Sequence, residues 1–152
     1  MCKRSGEVPE VGEGKRGEAG HLGYLLRQAA GAFRHRADRV LADLDVTSPQ
    51  FAVMTMLAAY PGISNADIAR LALLTPQTVS VIIANLERAG TIHRVPHSVH
   101  GRILRIELTE EGEGLLGACR ERVEGLERGL AEGLSEAEEG VVRAWLVRVA
   151  RG

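Results

Sequence analysis

At 152 residues, with 45% apolar and 26% charged residues, the chain suits one globular domain large enough to bury a real core. Its formal net charge of −1 neither demands nor excludes nucleic acid, because the distribution of charge decides that. No apolar run approaches the roughly 18 residues of a membrane span, and the opening MCKRSGEVPEVGEGKRGEAG lacks the apolar segment of a secretory signal, so a cytoplasmic protein is expected.

Residues 1–19 carry four glycines and mixed charges with little to bury, which predicts a disordered tail. From His21 to Leu44, Leu22, Leu25, Leu26, Ala29, Phe33, Ala37, Val40 and Leu41 fall at helical spacing, and Asp45-Val46-Thr47 breaks the run. Thr47 or Ser48 can cap a second helix with Pro49 in its first turn, burying Phe51, Val53, Met54, Met56 and Leu57 before Tyr60-Pro61-Gly62 ends it. Ser64 opens a short helix, with Asp67 three residues on and Ile68, Leu71 and Ala72 facing inward. LTPQTVSVIIANLERAG follows: Thr75 is a natural N-cap, Pro76 a natural first residue, and Val79, Ile82, Ile83 and Leu86 make the apolar stripe that Gly90 stops.

The period then changes. Residues 91–95 and 102–108 alternate around a Pro/Ser/Gly loop, predicting a β-hairpin with HRVPHSVHG at its tip. Thr109 caps a long helix carrying Leu115, Leu116, Cys119, Val123, Leu126 and Leu130. Ser135 caps a last one with Val141, Val142, Trp145, Leu146 and Val149. The expected fold is mostly α (α+β): a winged helix-turn-helix core over 47–109, with dimerisation helices at 20–44 and 110–151.

A helix fits the major groove with its N-terminal side chains toward base edges, while a ribbon tip reaches backbone or minor groove. Thr75, Gln77, Thr78 and Ser80 are polar groups at the start of the second helix of the pair. The segment resembles the MarR family of bacterial transcription regulators over residues 20–150. LTPQTVSVIIANLERAG is similar to that family's recognition helix, and HRVPHSVHGRILRIELTEEG to its wing, including Arg94, Arg102 and a Leu108-Thr109-x-x-Gly112 signature. The resemblance implies a homodimer bound to a palindromic operator in double-stranded DNA, often a repressor released by a small ligand. Its DNA-binding residues would be Ser64, Thr75, Pro76, Gln77, Thr78, Ser80, Arg88, Arg94, His97, His100 and Arg102. It also implies a small aromatic or phenolic effector, for which His21, Tyr24, Arg27 and His35 on the first helix offer polar groups. The long apolar stripes of the last two helices independently call for a partner, and a second copy is the economical one.

The chain departs from the family pattern in its charges. Histidines 97 and 100 stand where the wing usually carries acids, and Val81 and Asn85 where the recognition helix commonly carries bases. Over residues 64–109 five arginines face three acids, a surplus of +2 (5 − 3), modest for phosphate neutralisation. His93, His97 and His100 read as a polar wing or a plain exposed loop; no Cys, Asp or Glu in the loop completes a metal set and no nucleophile is paired with them, so neither metal, cofactor nor catalysis is expected. Protonation in mild acid would add positive charge to such a wing. Cys119 reads as a small apolar core residue, with a redox-sensing thiol as the other reading. The rival to a DNA-binding regulator is a dimeric winged-helix module that binds protein.

Overall fold

The computed structural model describes residues 8–96, 99 and 104–152. Eight regular elements follow in order: α1 (Leu22–Leu41), α2 (Ser48–Ala59), α3 (Asn65–Ala72), α4 (Pro76–Arg88), β1 (Ile92–Pro96), β2 (Leu104–Leu108), α5 (Glu110–Leu130) and α6 (Glu136–Arg151). The chain divides into two compact units, residues 1–36 and 37–152, with the boundary inside α1. In the first unit, one 3-10 turn at Gly14–Arg16 lies in the stretch before α1, and Arg16 donates to the Pro9 carbonyl at 2.8 Å.

Each of α2 to α6 begins where the sequence supplies a capping oxygen. Thr47 and Gln50 form a reciprocal capping box on α2: the Gln50 N–H donates to Thr47 Oγ1 at 3.4 Å, and the Thr47 N–H donates to Gln50 Oε1 at 2.9 Å. Ser64, Thr75 and Thr109 cap α3, α4 and α5 by accepting one backbone N–H each, and Ser135 with Glu138 forms a second reciprocal box on α6. At the start of α2 the Ser48 N–H also donates to the Asp38 carboxylate at 2.8 Å, tying α2 to the end of α1.

The core is aliphatic. Leu41, Val53, Met54, Ile68, Val79, Ile83 and Cys119 are fully buried, and Leu57, Ile82, Leu86, Ile92, Ile106, Leu116 and Val123 nearly so. Burying side chains of this size contributes roughly 1.5–3 kcal/mol each. All four residues of the expected α4 stripe are in it. Leu71, expected to face inward, is instead 41% exposed, and Ala69 is buried in its place. The two-turn α3 packs against α2 and α4, which covers the arc of Ile68, Ala69 and Ala72; Leu71 falls beyond that arc, beside Tyr60, Pro61 and Ile63.

The α3 and α4 axes meet at 109°, the crossing of a helix-turn-helix. Gly90 ends α4 in a left-handed conformation, φ +76°. The Thr91 N–H returns to the Leu86 carbonyl at 2.9 Å and the Gly90 N–H to the Glu87 carbonyl at 3.1 Å, a Schellman closure. β1 and β2 then pair antiparallel, from Ile92 opposite Leu108 to Pro96 opposite Leu104. No single helix among the described residues is long and apolar enough to cross a membrane. α6 has no buried residue at all: Val141 is 70% exposed, and Val142, Leu146, Val147 and Val149 are exposed with it.

Candidate nucleic-acid interface

The start of α4 is a small hydrogen-bonded cluster. Thr75 Oγ1 accepts the Thr78 N–H at 3.1 Å, and the two threonine hydroxyls lie 2.8 Å apart. The Ser80 hydroxyl donates to the Pro76 carbonyl one turn back, at 3.0 Å. Thr75, Pro76, Gln77, Thr78 and Ser80 are all exposed, as a reading surface requires, yet three of their four polar side chains already serve the helix. Their remaining lone pairs can accept, but their donor capacity is largely committed.

Successive residues of an α-helix are rotated by about 100°. With Val79, Ile82, Ile83 and Leu86 in the core, the direction opposite is occupied by Gln77, Val81, Ala84 and Arg88. All four are exposed. Of these, the sequence expectation contained Gln77 and Arg88. Val81 enters the sequence expectation only as a missing basic residue, and Ala84 not at all; the buried stripe itself fixes where they must point.

The charges of the winged core pair off in an orderly way. Arg70 meets Asp67 at 3.3 Å, Arg94 meets Glu87 at 3.1 Å, and Arg105 meets Glu107 at 2.6 Å. Each of the three acids between residues 64 and 109 is thus held by an arginine, and among the described arginines of this stretch Arg88 is paired with none of them. Arg88 donates to a neutral group, the Asn85 side-chain oxygen, at 3.0 Å. Arg94, opposite Ile106 in the hairpin, reaches across to Glu87 on α4, a residue the sequence expectation did not contain. Ser64 caps α3 and donates to Asp67 at 2.8 Å. That bond, with the Arg70 guanidinium, holds the Asp67 carboxyl below its ordinary value. His97, His100 and Arg102 lie outside the described residues; His93 is exposed on β1 opposite Glu107.

The hairpin is fastened to α4 and α5 through Thr109. Its N–H donates to the Thr91 carbonyl at 3.0 Å, its hydroxyl donates to the Gly90 carbonyl at 2.6 Å, and its Oγ1 accepts the Gly112 N–H at 3.0 Å. Gly112 lies so close beneath the Thr91 carbonyl that a β-carbon there would collide with it. One threonine and one glycine thereby join the end of α4, the base of β1 and the first turn of α5. The Leu108-Thr109-x-x-Gly112 signature has a mechanical meaning.

The effector candidates belong to the first unit. The Arg27 guanidinium stands over the Tyr24 ring, 5.9 Å from its centroid, a cation–π arrangement one helical turn apart. His21 precedes α1 and His35 lies in its C-terminal half, about 20 Å further along the axis at 1.5 Å per residue. α1 therefore unites Tyr24 and Arg27 but cannot bring His21 and His35 to one small molecule on the same chain. In the second unit, burial pushes the Cys119 thiol up, opposed by Arg122 and reinforced by Asp43, which form an ion pair at 2.7 Å. Among the described residues no three His, Cys, Asp or Glu side chains gather as a metal site.

A sequence profile of the MarR family matches residues 44–103. The HTH-type transcriptional repressor Rv2887 of Mycobacterium tuberculosis is 37% identical over 94 residues, covering 62% of this chain and 68% of the relative. The chain belongs to the MarR family. The crystal structure of an S. aureus MepR–DNA complex superposes with a TM-score of 0.79 at 29% identity, covering 88% of this chain and 97% of that one. Rv2887 in complex with salicylic acid superposes with a TM-score of 0.70 at 32% identity, covering 85% and 96%. In this MarR-family chain, α3 and α4 are the helix-turn-helix and β1–β2 is the wing.

Proposed function

We propose that this chain is a DNA-binding transcription regulator that acts as a homodimer, represses by occupying a palindromic operator, and is released by a small aromatic or phenolic acid. The observation that carries the reading is the outward face of α4, anchored through Gly90, Thr91 and Thr109 to a wing. Phosphate contacts give such an interface most of its affinity and base contacts its register. In this reading Gln77, Thr78 and Ser80 face the major groove, and Thr75, Pro76 and Ser64 present the two helix starts to the backbone. Arg88, Arg94, Arg102, His97 and His100 approach phosphates. Acting on DNA places the protein in the cytoplasm and requires no catalytic step.

The dimer follows from α6. A helix whose valines and leucines are all exposed lacks the burial that stabilises an amphipathic helix, and a second copy supplies it symmetrically. Residues 47–109 form the reading core, with 20–44 and 110–151 as dimerisation helices. The effector class rests on the relative solved with salicylic acid and on the Tyr24–Arg27 pair, which offers an aromatic face and a cation to a carboxylate.

A mobility-shift titration against the DNA upstream of its own gene, at two salt concentrations, tests the reading. Saturable binding with a steep salt slope, relieved by salicylate, is expected. No shift at any salt favours a dimeric module that binds protein instead, the reading that the apolar Val81 and Ala84 on the outward face also suit.

A further inference from the structure

The centre of the α4 outward face is a valine. Val81 is 60% exposed, directly opposite the buried stripe, between Gln77 one turn before it and Ala84 one turn after. Folding gains nothing from an exposed isopropyl group there. The polar residues beside it are engaged inside the helix, Thr75 with Thr78 and Ser80 with Pro76, and Arg88 rests on Asn85. Apart from the exposed Gln77 amide, polar readout by this face is therefore thin, and the chemistry at its centre is aliphatic.

A phosphate offers nothing to a valine. In the major groove the one apolar feature is the C5-methyl group of a pyrimidine, on thymine or on 5-methylcytosine. Val81 lies about 6 Å along the axis from Gln77, inside the N-terminal half of α4 that reaches base edges in this geometry. We infer that Val81 is a specificity-determining residue that reads a pyrimidine C5-methyl group in the major groove. The inference rests on the DNA-binding reading above and gives it a chemical target. Burying one methyl group in such a contact changes affinity about fourfold, so two copies of α4 on a palindrome give roughly an order of magnitude.

The test uses the full-length protein and the upstream duplex in three forms: unmodified, with every thymine replaced by deoxyuridine, and with every cytosine replaced by 5-methylcytosine. Deoxyuridine keeps all base-pairing groups and removes only the methyl. Wild-type protein should lose about tenfold affinity on the deoxyuridine duplex, and Val81→Ala should lose far less between the same two duplexes. Affinity that is unmoved by deoxyuridine but rises on methylated cytosine, again only with Val81 present, assigns the methyl to 5-methylcytosine. A second variant, Val81→Arg, should bind with a steeper salt slope and no methyl sensitivity. Equal methyl sensitivity in wild type and Val81→Ala, or none in wild type on either modified duplex, overturns the inference while leaving DNA binding intact. Absence of saturable binding to the unmodified duplex overturns both.

Discussion

The carbonyl of Thr91 occupies the space in which a side chain on Gly112 would stand. Neither atom can give way cheaply, since the carbonyl belongs to the turn that closes α4 and also accepts the Thr109 N–H. Overpacking a site of this kind costs typically 1–3 kcal/mol. Gly112→Ala should therefore lower stability by about 2–3 kcal/mol, read as a shift in urea midpoint. Gly117→Ala, on the same helix with open space around its α-carbon, should raise it by up to about 1 kcal/mol. Equal effects from the two substitutions would mean that the Thr91 contact imposes no constraint.

Leu73 connects α3 to α4 in a left-handed conformation, φ 54°, with its side chain 91% exposed. A residue with a β-carbon costs roughly 1–2 kcal/mol there, and this leucine recovers none of it by burial. Leu73→Gly relieves the strain but gives the unfolded chain more freedom, a loss of up to about 1 kcal/mol. The net expectation is a gain of about 0.5–1 kcal/mol in chemical denaturation. Leu73→Ala keeps the β-carbon and should stay near wild type; an alanine gain as large as the glycine gain would locate the effect outside the backbone.

The outline of the fold was legible because its markers are local. Thr47, Ser64, Thr75, Thr109 and Ser135 each announce a helix by a side-chain oxygen that reaches no further than three residues. What was not legible depends on distant neighbours. Leu71 fits the helical period of α3 as well as Ala72 does, and only the directions of α2 and α4 decide which of them is covered. Glu87 looks like a surface acid until the hairpin register brings Arg94 to it. Val81 drew attention only as a missing base, because sequence reading looks for polar groups. Its orientation became a positive fact once the four buried residues behind it were fixed.

Three exposed carboxylates are held below their ordinary values by their hydrogen-bond partners. The Arg122 guanidinium holds Asp43 below its ordinary 3.8, the Ser64 hydroxyl and then Arg70 do the same for Asp67, and the Ser135 backbone N–H and hydroxyl hold Glu138 below its ordinary 4.5. A carboxyl lowered in the folded state binds fewer protons there than in the unfolded chain. Its stabilisation is complete above the ordinary value and is lost as pH falls through the lowered one. Urea midpoints should thus be flat from pH 7 to about 5.5 and fall from about pH 4.5 downward. All three groups are exposed, so each contributes little alone. The double variant Ser64→Ala, Ser135→Ala should begin less stable at pH 7, through its lost caps, and fall less steeply in acid. A parallel fall in both proteins would assign the acid sensitivity to other groups.

Arg94 and Glu87 set how much charge the wing can offer. Their side chains are 44% and 39% exposed, so the ion pair contributes only about 0–1 kcal/mol to stability, and Glu87→Gln should leave the urea midpoint almost unchanged. Its effect on DNA binding should be larger. With the carboxylate neutralised, Arg94 no longer chooses between Glu87 and a phosphate, which raises low-salt affinity and steepens the dependence of log K on log salt by up to about one unit per protomer. Arg94→Ala should flatten that slope, and the double variant should behave as Arg94→Ala does, because the glutamate acts only through the arginine. If Glu87→Gln instead weakened binding, the carboxylate would be aiming Arg94 at the duplex and not competing with it. Strict additivity of the two substitutions would show that they act on DNA separately.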